Sequence, residues 1–230
     1  MKYSLVIPCF NEAKSIPKLL ERCAVVLENN DWEIVLVDNG STDNTQEVLA
    51  RLLSKYPRCR SIRVNVNQGY GHGIVAGLNA TTGDVIGWTH ADLQTDPADA
   101  LLVMPVFEKN SGKTFVKGRR YGRPFADVIF TIGMSIFETI LLRKFMWDIN
   151  AQPTFFSRKF FGELENPPSD FSLDLYFYFM AIRPGLSISR VPVRFGERSF
   201  GVSHWNLDFK SKVKFIIRTL AYSFKLRGSI

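Results

Sequence analysis

The chain has 230 residues, of which 46% are hydrophobic and 22% are charged. This composition is typical of one globular domain with a substantial core and excludes a disordered or low-complexity chain. The net charge of +7 is uneven, because residues 1–100 hold 9 basic and 12 acidic residues whereas residues 101–230 hold 20 basic and 10 acidic residues. The basic second part predicts an anionic partner: nucleic acid, a phosphate-bearing substrate or an acidic membrane surface.

Cysteine usage and apolar runs indicate the cellular setting. The three cysteines show no metal-binding spacing, so we expect neither a disulfide framework nor a structural zinc site, and a reducing cytosol suits the chain. The amino terminus runs directly into strand-like sequence without a signal peptide. The longest apolar run, Val128–Phe137, stops at Glu138, which is short of the 18 or more residues expected of a membrane span. We therefore expect a cytosolic chain that does not cross a membrane.

Strand and helix signals alternate in the first part of the chain. Continuous apolar runs predict buried strands at residues 3–8, 32–37, 61–66 and 85–89. Apolar residues at helical spacing predict helices at residues 11–29, 45–56, 71–80 and 96–109. Pro105 predicts a kink or break in the last of these helices. This order predicts an α/β fold with a doubly wound, mostly parallel sheet.

The second part of the chain is more helical and more basic. Strands are predicted at residues 114–116 and 188–195, with a basic loop at 117–123. Helices are predicted at residues 125–147, 173–182 and 206–226. The first of these helices is apolar, and the last combines Lys and Arg with Phe. Because no repeat or linker divides the sequence, we expect residues 1–230 to form a single domain.

Polar side chains follow each of the four strands predicted in the first part. Asn11 and Glu12 follow the first strand, Asp38 the second, Asn67 the third and Asp92 the fourth. Ligands of doubly wound sheets bind beyond the carboxyl ends of the strands. These side chains are therefore expected to converge on a ligand.

The segment around Asp92 is a candidate metal site. His90, Asp92 and Gln94 alternate in a strand-end loop, and their imidazole, carboxylate and amide groups suit Mn²⁺ or Mg²⁺ with open positions for phosphate oxygens. The alternative is that Asp92 and Asp96 only cap the helix that follows.

Two further segments have both a functional and a local interpretation. Asp38 is suited to accept hydrogen bonds from a nucleobase or ribose, but its surroundings, residues 38–43, are also typical of a turn. The glycine-rich segment at 67–73 has the spacing of neither known phosphate-binding loop, so by itself it is weak evidence.

Arginines cluster in the second part of the chain. Arg120 and Arg123 share one predicted loop, and Arg194 and Arg198 precede the glycine-containing segment 201–205. Arginine forks bind phosphate bidentately. The alternative, a solvated charged surface, is the commoner role of a single arginine.

Several motifs together resemble a known family. They are V-I-P-C-F-N-E at 6–12, V-L-V-D-N-G-S-T-D at 35–43, N-x-G-x-G-x-G at 67–73, T-G-D-V-I-G-W-T-H-A-D-L-Q-T-D-P at 82–97, G-R-R-Y at 118–121, D-I-N-A-Q-P-T-F-F-S-R at 148–158 and R-S-F-G-V-S-H-W at 198–205. In this order the chain resembles family 2 glycosyltransferases, and within them the polyprenyl-phosphate sugar synthases such as dolichyl-phosphate mannose synthase.

The resemblance implies a GT-A fold and transfer, with inversion, from a nucleotide-diphosphate sugar. It implies a nucleotide-sugar and metal half at residues 1–110 and an acceptor half at 111–230. The residues implied to bind the nucleotide sugar are Pro8, Phe10, Asn11, Glu12, Asp38, Asn67, Gly69, Ala91 and Asp92. The resemblance implies that Asp92 and Gln94 hold Mn²⁺ or Mg²⁺, and the spacing described above adds His90 to these ligands. It implies that Arg120, Arg198 and Ser203 bind phosphate or acceptor, and the arginine clusters described above add Arg123 and Arg194. Asp92, Arg120 and Arg198 are the implied catalytic residues.

The sequence departs from the family pattern at two places. The family usually has Asp where this chain has His90, which removes one negative charge from the metal site. His204 and Trp205 replace a commoner basic pairing after Ser203. An inactive transferase therefore stays among the alternatives.

The acceptor has two interpretations. A polyprenyl phosphate at the cytosolic membrane face is already a nucleophile and needs no strong base. A saccharide or protein hydroxyl needs one, and Asp174 is the candidate catalytic base. Peripheral membrane contact through residues 125–147 and 206–226 is expected, with core packing as the alternative, and a membrane-anchoring partner subunit stays open. We expect no nucleic-acid partner, because the strand-end carboxylates would repel a phosphate backbone.

Overall fold

The computed structural model describes residues 1–110, 112–198 and 209–228, with the side chains of the last helix described from residue 216 onward. The predicted alternation of strands and helices in the first part of the chain is confirmed. The strands are β1 (Tyr3–Cys9), β2 (Trp32–Asn39), β3 (Cys59–Val64) and β4 (Val85–Trp88). The helices are α1 (Ile16–Leu27), α2 (Thr45–Leu52), α3 (Tyr70–Ala80) and α4 (Met104–Lys109).

Two helix boundaries differ from the prediction. Helix α1 begins at Ile16 rather than at residue 11, because Asn11 has a left-handed backbone (φ 57°) in the turn that follows β1. The segment predicted as a helix at 96–109 begins as a 3₁₀ helix, Pro97–Val103, and becomes α-helical at Met104. Pro105 lies in the first turn of α4, where a missing N–H leaves no helical hydrogen bond unmade.

The described residues of the second part of the chain add three strands and four helices. The strands are β5 (Thr114–Tyr121), β6 (Thr154–Ser157) and β7 (Ser187–Arg194). The helices are α5 (Phe125–Leu142), α6 (Arg158–Gly162), α7 (Leu173–Ile182) and α8 (Phe209–Gly228). Strand β6 and helix α6 were not predicted from the sequence.

Two boundaries in this part also correct the prediction. Strand β5 continues to Tyr121 through the segment predicted as a basic loop, so Arg120 lies in a strand and only Arg123 lies in the loop. Helix α5 ends before Trp147, because Arg143 has a left-handed backbone (φ 54°) that stops the helix.

All seven strands form one sheet in the order β3-β2-β1-β4-β6-β5-β7. The mostly parallel sheet is confirmed, with β6 as the exception that pairs antiparallel to both β4 and β5. The carboxyl ends of β1 to β5 and of β7 consequently lie along one edge of the sheet. Since strands from residues 1–110 and from 111–230 share this sheet, the arrangement supports our proposal of a single domain.

Two apolar cores cover the two faces of the sheet. Leu5 and Ile7 of β1 face the first core, which contains α1, α2 and α4. Val6 and Val35 face the second core, which contains α3 and α7. Each fully buried aliphatic side chain stabilises the fold by roughly 1.5–3 kcal/mol. Helices packed on both faces hold the strand ends, and the loops that follow them, in place.

Helix α5 is longer than the uncharged apolar run on which the expectation about membrane crossing is based. By length and composition alone this 18-residue helix is apolar enough to cross a membrane, and it is the one such helix in the described parts of the chain. Its two charged residues are Asp127 and Glu138. Only 17% of the helix is buried, so α5 is not an ordinary core helix.

Candidate active site

The loops after β1 and β2 are joined by hydrogen bonds at the carboxyl edge of the sheet. The Asn11 backbone N–H donates to Ser41 Oγ at 3.0 Å, and Asn11 Oδ1 accepts from the Thr42 backbone N–H at 2.8 Å. The Glu12 backbone N–H donates to Thr45 Oγ1 at 2.9 Å. The predicted nucleotide residues after β1 therefore lie beside those after β2.

Two carboxylates predicted to bind the nucleotide are held in this region. Asp38 is buried; one oxygen accepts from the Ser41 backbone N–H at 2.9 Å, and the other lies 3.2 Å from Arg63. Glu12 Oε2 accepts from Ser15 Oγ at 2.5 Å, and burial raises the pKa of Glu12 above its usual range. Asp38 thus makes the local turn bond foreseen by the alternative interpretation, and its role toward a nucleotide stays a prediction.

The other residues assigned to the nucleotide line the same edge. Pro8 and Phe10 are half-buried at the end of β1, and Ala91 is buried after β4. Asn67 Oδ1 accepts from the Gly69 backbone N–H at 2.8 Å.

The glycines of segment 67–73 serve close backbone packing. A Cβ at Gly69, whose φ is 116°, would collide with the Ser169 carbonyl oxygen, and one at Gly71 would collide with that of Pro168. The His72 backbone N–H donates to the Ser169 carbonyl at 3.0 Å. The contacts show that these glycines let α3 approach residues 168–170, and the assignment of Gly69 to the nucleotide sugar stays a prediction.

The candidate metal loop centres on Asp92. Its carboxylate is buried; Oδ1 accepts from the Gln94 backbone N–H at 3.1 Å, and Oδ2 accepts from Arg198 Nη2 at 2.8 Å. The half-buried His90 ring stacks on Tyr70 with centroids 5.6 Å apart. Within the residues that the structure describes, no three His, Cys, Asp or Glu side chains form a cluster able to hold a metal.

These donors fit a divalent cation that arrives with phosphate oxygens. The loop offers one carboxylate, the Gln94 amide and the His90 imidazole, which is a hard oxygen set with one nitrogen. A single carboxylate is a weak site for Mn²⁺ or Mg²⁺ alone, so further ligands have to come from a diphosphate. The three assignments stay predictions.

The capping alternative holds for Asp96 but not for Asp92. Asp96 Oδ1 accepts from the Ala98 backbone N–H at 2.9 Å and caps the 3₁₀ helix. Arg22 of α1 donates to both oxygens of Asp96. Asp96 therefore fixes the far side of the loop and leaves Asp92 to face the edge of the sheet.

Two arginines form a cationic cluster at the end of β5. Arg120 donates to both oxygens of Asp148, and Arg123 lies 3.9 Å from the same carboxylate. Both guanidinium groups lie over the Phe195 ring, 5.4 and 5.5 Å from its centroid. Burial, and then the neighbouring Arg120 charge, lower the pKa of Arg123. Burial alone would raise the pKa of Asp148, but Arg120 holds that pKa below its ordinary value.

Segment 195–198 connects this cluster to the metal loop. The Phe195 ring lies against both arginines, the Gly196 backbone N–H donates to the Gln94 carbonyl at 2.7 Å, and Arg198 pairs with Asp92. The structure therefore brings Arg120, Arg123 and Arg198 to one edge. Arg194 is exposed at the end of β7, whereas Ser203, His204 and Trp205 lie outside the described residues.

Sequence reasoning missed a buried polar network around Asp174. Asp174 Oδ1 accepts from Gln152 Nε2 at 2.6 Å and lies 3.5 Å from Lys117 Nζ, and Asp174 Oδ2 accepts from the Tyr70 hydroxyl at 3.3 Å. Burial lowers the pKa of Lys117 to about 8. Because both oxygens of Asp174 have partners, the arrangement does not favour a general base, and that role stays a prediction. Lys117 adjoins G-R-R-Y and Gln152 lies in D-I-N-A-Q-P, the signals that pointed to this region.

Comparison with known proteins shows the family. The Glycosyl transferase family 2 model matches residues 4–162. Undecaprenyl-phosphate 4-deoxy-4-formamido-L-arabinose transferase of Yersinia enterocolitica is 40% identical over 112 residues, which are 47% of this chain and 34% of that protein. The same-named transferase of Serratia proteamaculans is 38% identical over an equal share. The match thus spans about a third of the length of these curated relatives.

Solved structures share the whole fold. The Pyrobaculum calidifontis mannosyltransferase PcManGT, solved with GDP-Man and Mn²⁺, has a TM-score of 0.71 at 18% identity. The match covers 97% of this chain and 64% of the mannosyltransferase. Glucosyl-3-phosphoglycerate synthase of Mycobacterium tuberculosis, solved with Mn²⁺, UDP and glucosyl-3-phosphoglycerate, has a TM-score of 0.73 at 19% identity. The match covers 100% of this chain and 80% of the synthase. With its fold and the family match, this chain belongs to glycosyl transferase family 2 and has the GT-A fold.

Proposed function

We propose that the chain transfers a sugar, with inversion, from a nucleotide-diphosphate sugar to a polyprenyl phosphate at the cytosolic face of a membrane. The observation that carries this proposal is the position of a largely shielded arginine pair directly before an exposed apolar helix. Such a surface fits an amphiphile with a phosphate head. The names of the similar Yersinia and Serratia transferases, which act on undecaprenyl phosphate, support the same acceptor class.

The arginine pair has unused capacity for an anion. Arg120, Arg123 and Asp148 together carry one net positive charge. Arg123 is nine-tenths buried, and its Nε has no hydrogen-bond partner among the described residues. Helix α5 begins at Phe125, just after this pair, and the amino-terminal end of a helix favours negative charge. A phosphate monoester bound here would relieve the repulsion between the two guanidinium groups.

Helix α5 has the reverse pattern of a helix on a water-soluble surface. Its buried positions are Ser135, Glu138 and Leu142, and Glu138 accepts a hydrogen bond from Ser223 of α8 at 2.5 Å. Its exposed apolar residues are Phe125, Ile129, Phe130, Ile136 and Ile140. An exposed apolar face of this size marks an interaction surface. Ordinary core packing, the alternative for this segment, does not describe α5.

Cationic and apolar groups extend the same surface. Arg143 and Lys144 are exposed just after α5. On α8, Ile217 and Phe224 are exposed, and the Phe224 ring lies 6.4 Å from that of Phe137. Apolar side chains beside basic ones are typical of helices that lie in the interface of an anionic membrane. We therefore assign peripheral contact to α5 and the described part of α8.

The donor is assigned to the carboxyl edge of β1, β2 and β4. Asp92, Gln94 and His90 would hold Mn²⁺ or Mg²⁺, which supplies positive charge to the departing diphosphate when bound. Arg198 adds a second positive charge at the same place. On the acceptor side, Arg120 and Arg123 would hold the phosphate so that one of its oxygens attacks the sugar from the face opposite the diphosphate. No group of this chain has to remove a proton, because the phosphate is already anionic.

The test uses the full chain with vesicles that contain undecaprenyl phosphate, a panel of nucleotide-diphosphate sugars, and Mn²⁺ or Mg²⁺. Mass spectrometry should find a lipid-linked sugar only when metal, donor and lipid phosphate are all present. Transfer to a soluble saccharide, with none to the lipid, would overturn the acceptor assignment. Because no other protein is added, lipid-linked product would also show that a membrane-anchoring subunit is not required.

A further inference from the structure

We infer that Arg198 and the divalent cation compete for the same carboxylate oxygen of Asp92, so that cation binding releases Arg198 to the nucleotide diphosphate. The cation at Asp92 and the receiving diphosphate both rest on the proposed function, and the contacts of Asp92 are the reason to expect competition.

The Asp92 carboxylate has few free positions. Oδ1 is used by the Gln94 backbone N–H, and Oδ2 accepts from Arg198 Nη2 at 2.8 Å. The Asp92 side chain is 9% exposed and the Arg198 side chain 24% exposed, so the pair is largely shielded from solvent. A cation bound to Oδ2 would lie within a few ångströms of the guanidinium, and two like charges at that distance in a shielded site repel strongly. One of them has to leave.

The Arg198 charge also acts on a second carboxylate, Glu12, in the loop after β1. Burial raises the pKa of Glu12 most, while the charge of Arg198 lowers that pKa and the charge of Asp92 raises it. Arg198 therefore neutralises a small acidic region rather than a single side chain. A divalent cation bound at Asp92 would neutralise the same carboxylates, so their attraction would no longer hold Arg198 in place.

The released side chain does not need a large backbone movement. Gly196 stays anchored through its hydrogen bond to the Gln94 carbonyl, and the Phe195 ring stays packed against Arg120 and Arg123. Arg198, two residues after Gly196, consequently remains beside the metal loop when its guanidinium leaves Asp92. Phosphate oxygens offer that guanidinium a bidentate partner. Metal and nucleotide would then strengthen each other's binding, and this coupling has to be reciprocal.

The test measures cation binding without nucleotide or acceptor. Free Mn²⁺ is followed by electron paramagnetic resonance during titration of the wild-type chain, Arg198→Gln and the control Arg119→Gln. Arg119 is exposed on β5, so the control removes the same charge away from Asp92. We expect Arg198→Gln to bind Mn²⁺ about tenfold more tightly than wild type, the scale of one charge-assisted hydrogen bond, and the control to match wild type.

The second arm adds UDP or GDP and measures binding by calorimetry in the presence of Mn²⁺. Arg198→Gln should bind the nucleotide about tenfold more weakly, so the two affinities change in opposite directions. Unchanged or weaker Mn²⁺ binding by Arg198→Gln would overturn the inference. Thermal unfolding checks that the variants are folded. If Arg198→Gln is unstable, Arg198→Lys replaces it, because lysine keeps the charge but has a single donor centre. For Arg198→Lys we expect Mn²⁺ and nucleotide affinities between those of wild type and those expected for Arg198→Gln. If the variant shows tighter Mn²⁺ binding and weaker nucleotide binding but the chain transfers no sugar to lipid, only the proposed acceptor is contradicted.

Discussion

The acidic first part and the basic second part of the chain differ in net charge, but each forms its described ion pairs almost entirely within itself. Among the described residues, carboxylates of the first part pair with cations of the same part, as in Asp38 with Arg63 and Asp96 with Arg22. The second part does the same, as in Asp148 with Arg120. In the described parts of the chain one ion pair joins the two parts, Asp92 with Arg198.

The one pair that joins the two parts points to the proposed functional centre more sharply than the charge totals do. A charge that is satisfied within its own part of the chain stabilises that part locally. The pair that crosses between the parts lies at the carboxyl edge of the sheet, where we propose that the nucleotide sugar binds. The uneven net charge is thus an arrangement in which one acidic loop and several arginines meet at a single edge.

Removing the acidic member of the crossing pair should have the largest effect. Asp92→Asn keeps the shape of the side chain but removes its charge, so both the cation and Arg198 lose their anionic partner. We expect sugar transfer to fall at least about 100-fold, the scale of losing one strong electrostatic contact to a transition state. The rate is measured at saturating metal. Asp99→Asn, a charge-matched change in the 3₁₀ helix, serves as control, and comparable rates for both variants would refute the role of Asp92.

Weakening the arginine cluster should affect the acceptor more than the donor. Arg123→Gln removes the guanidinium whose Nε has no partner among the described residues, and it keeps the hydrogen bond from Arg120 to Asp148. We expect the KM for lipid phosphate to rise about tenfold while the KM for the nucleotide sugar stays within about twofold, because one charged hydrogen bond is lost on the acceptor side only. Equal changes in both constants would show that the cluster does not distinguish acceptor from donor.

A charge on the exposed face of α5 should reduce membrane binding. Ile140→Glu places a carboxylate at a position that is 72% exposed, and Leu102→Glu makes the same change on the exposed surface of the 3₁₀ helix. Burying one such side chain in lipid contributes roughly 1.5–3 kcal/mol, so we expect about tenfold weaker binding to anionic vesicles for Ile140→Glu. Flotation measures the bound fraction. Equal loss in both variants would remove α5 from the contact surface.

The regular elements of the first part were predictable, because their signals are local. Strands β1 and β2 are continuous apolar runs, and α1 repeats apolar residues at helical spacing. Strand β6 was missed because its four residues, Thr154–Ser157, are too few to show a period and follow a proline. The short run gives no sign that it pairs antiparallel between two parallel strands.

The sequence predicted the residues of the candidate site but not the contacts among them. Strand ends and arginine clusters pointed to Asp92, Arg120 and Arg198, whereas the 106-residue separation of Asp92 and Arg198 hides their pairing from any local pattern. Lys117 was placed in a loop, since a lysine in a basic run indicates solvent exposure. Burial of that lysine depends on Asp174, whose position only the fold determines.

The smallest effect on function should come from Glu138, although its effect on stability depends on pH. Burial raises the pKa of Glu138 to about 7, while its unfolded value is near 4.5. Between these values the folded chain binds more protons than the unfolded chain, so this group makes stability fall as pH rises from about 4.5 to about 7. The fully developed loss is on the order of 3 kcal/mol, at 1.36 kcal/mol for each pH unit between the two values.

Glu138→Gln isolates this effect, because the Gln carbonyl still accepts the hydrogen bond from Ser223 but cannot ionise. Denaturant unfolding at pH 5 and pH 8 should show a variant that is more stable than wild type at pH 8 and similar to it at pH 5. Glu163→Gln, an exposed change at the end of α6, should follow wild type at both values. Parallel pH dependence of wild type and Glu138→Gln would mean that Glu138 is already ionised in the fold. The contact between α5 and α8 would then tolerate a buried charge, and their shared surface would be more hydrated than its apolar exposed face indicates.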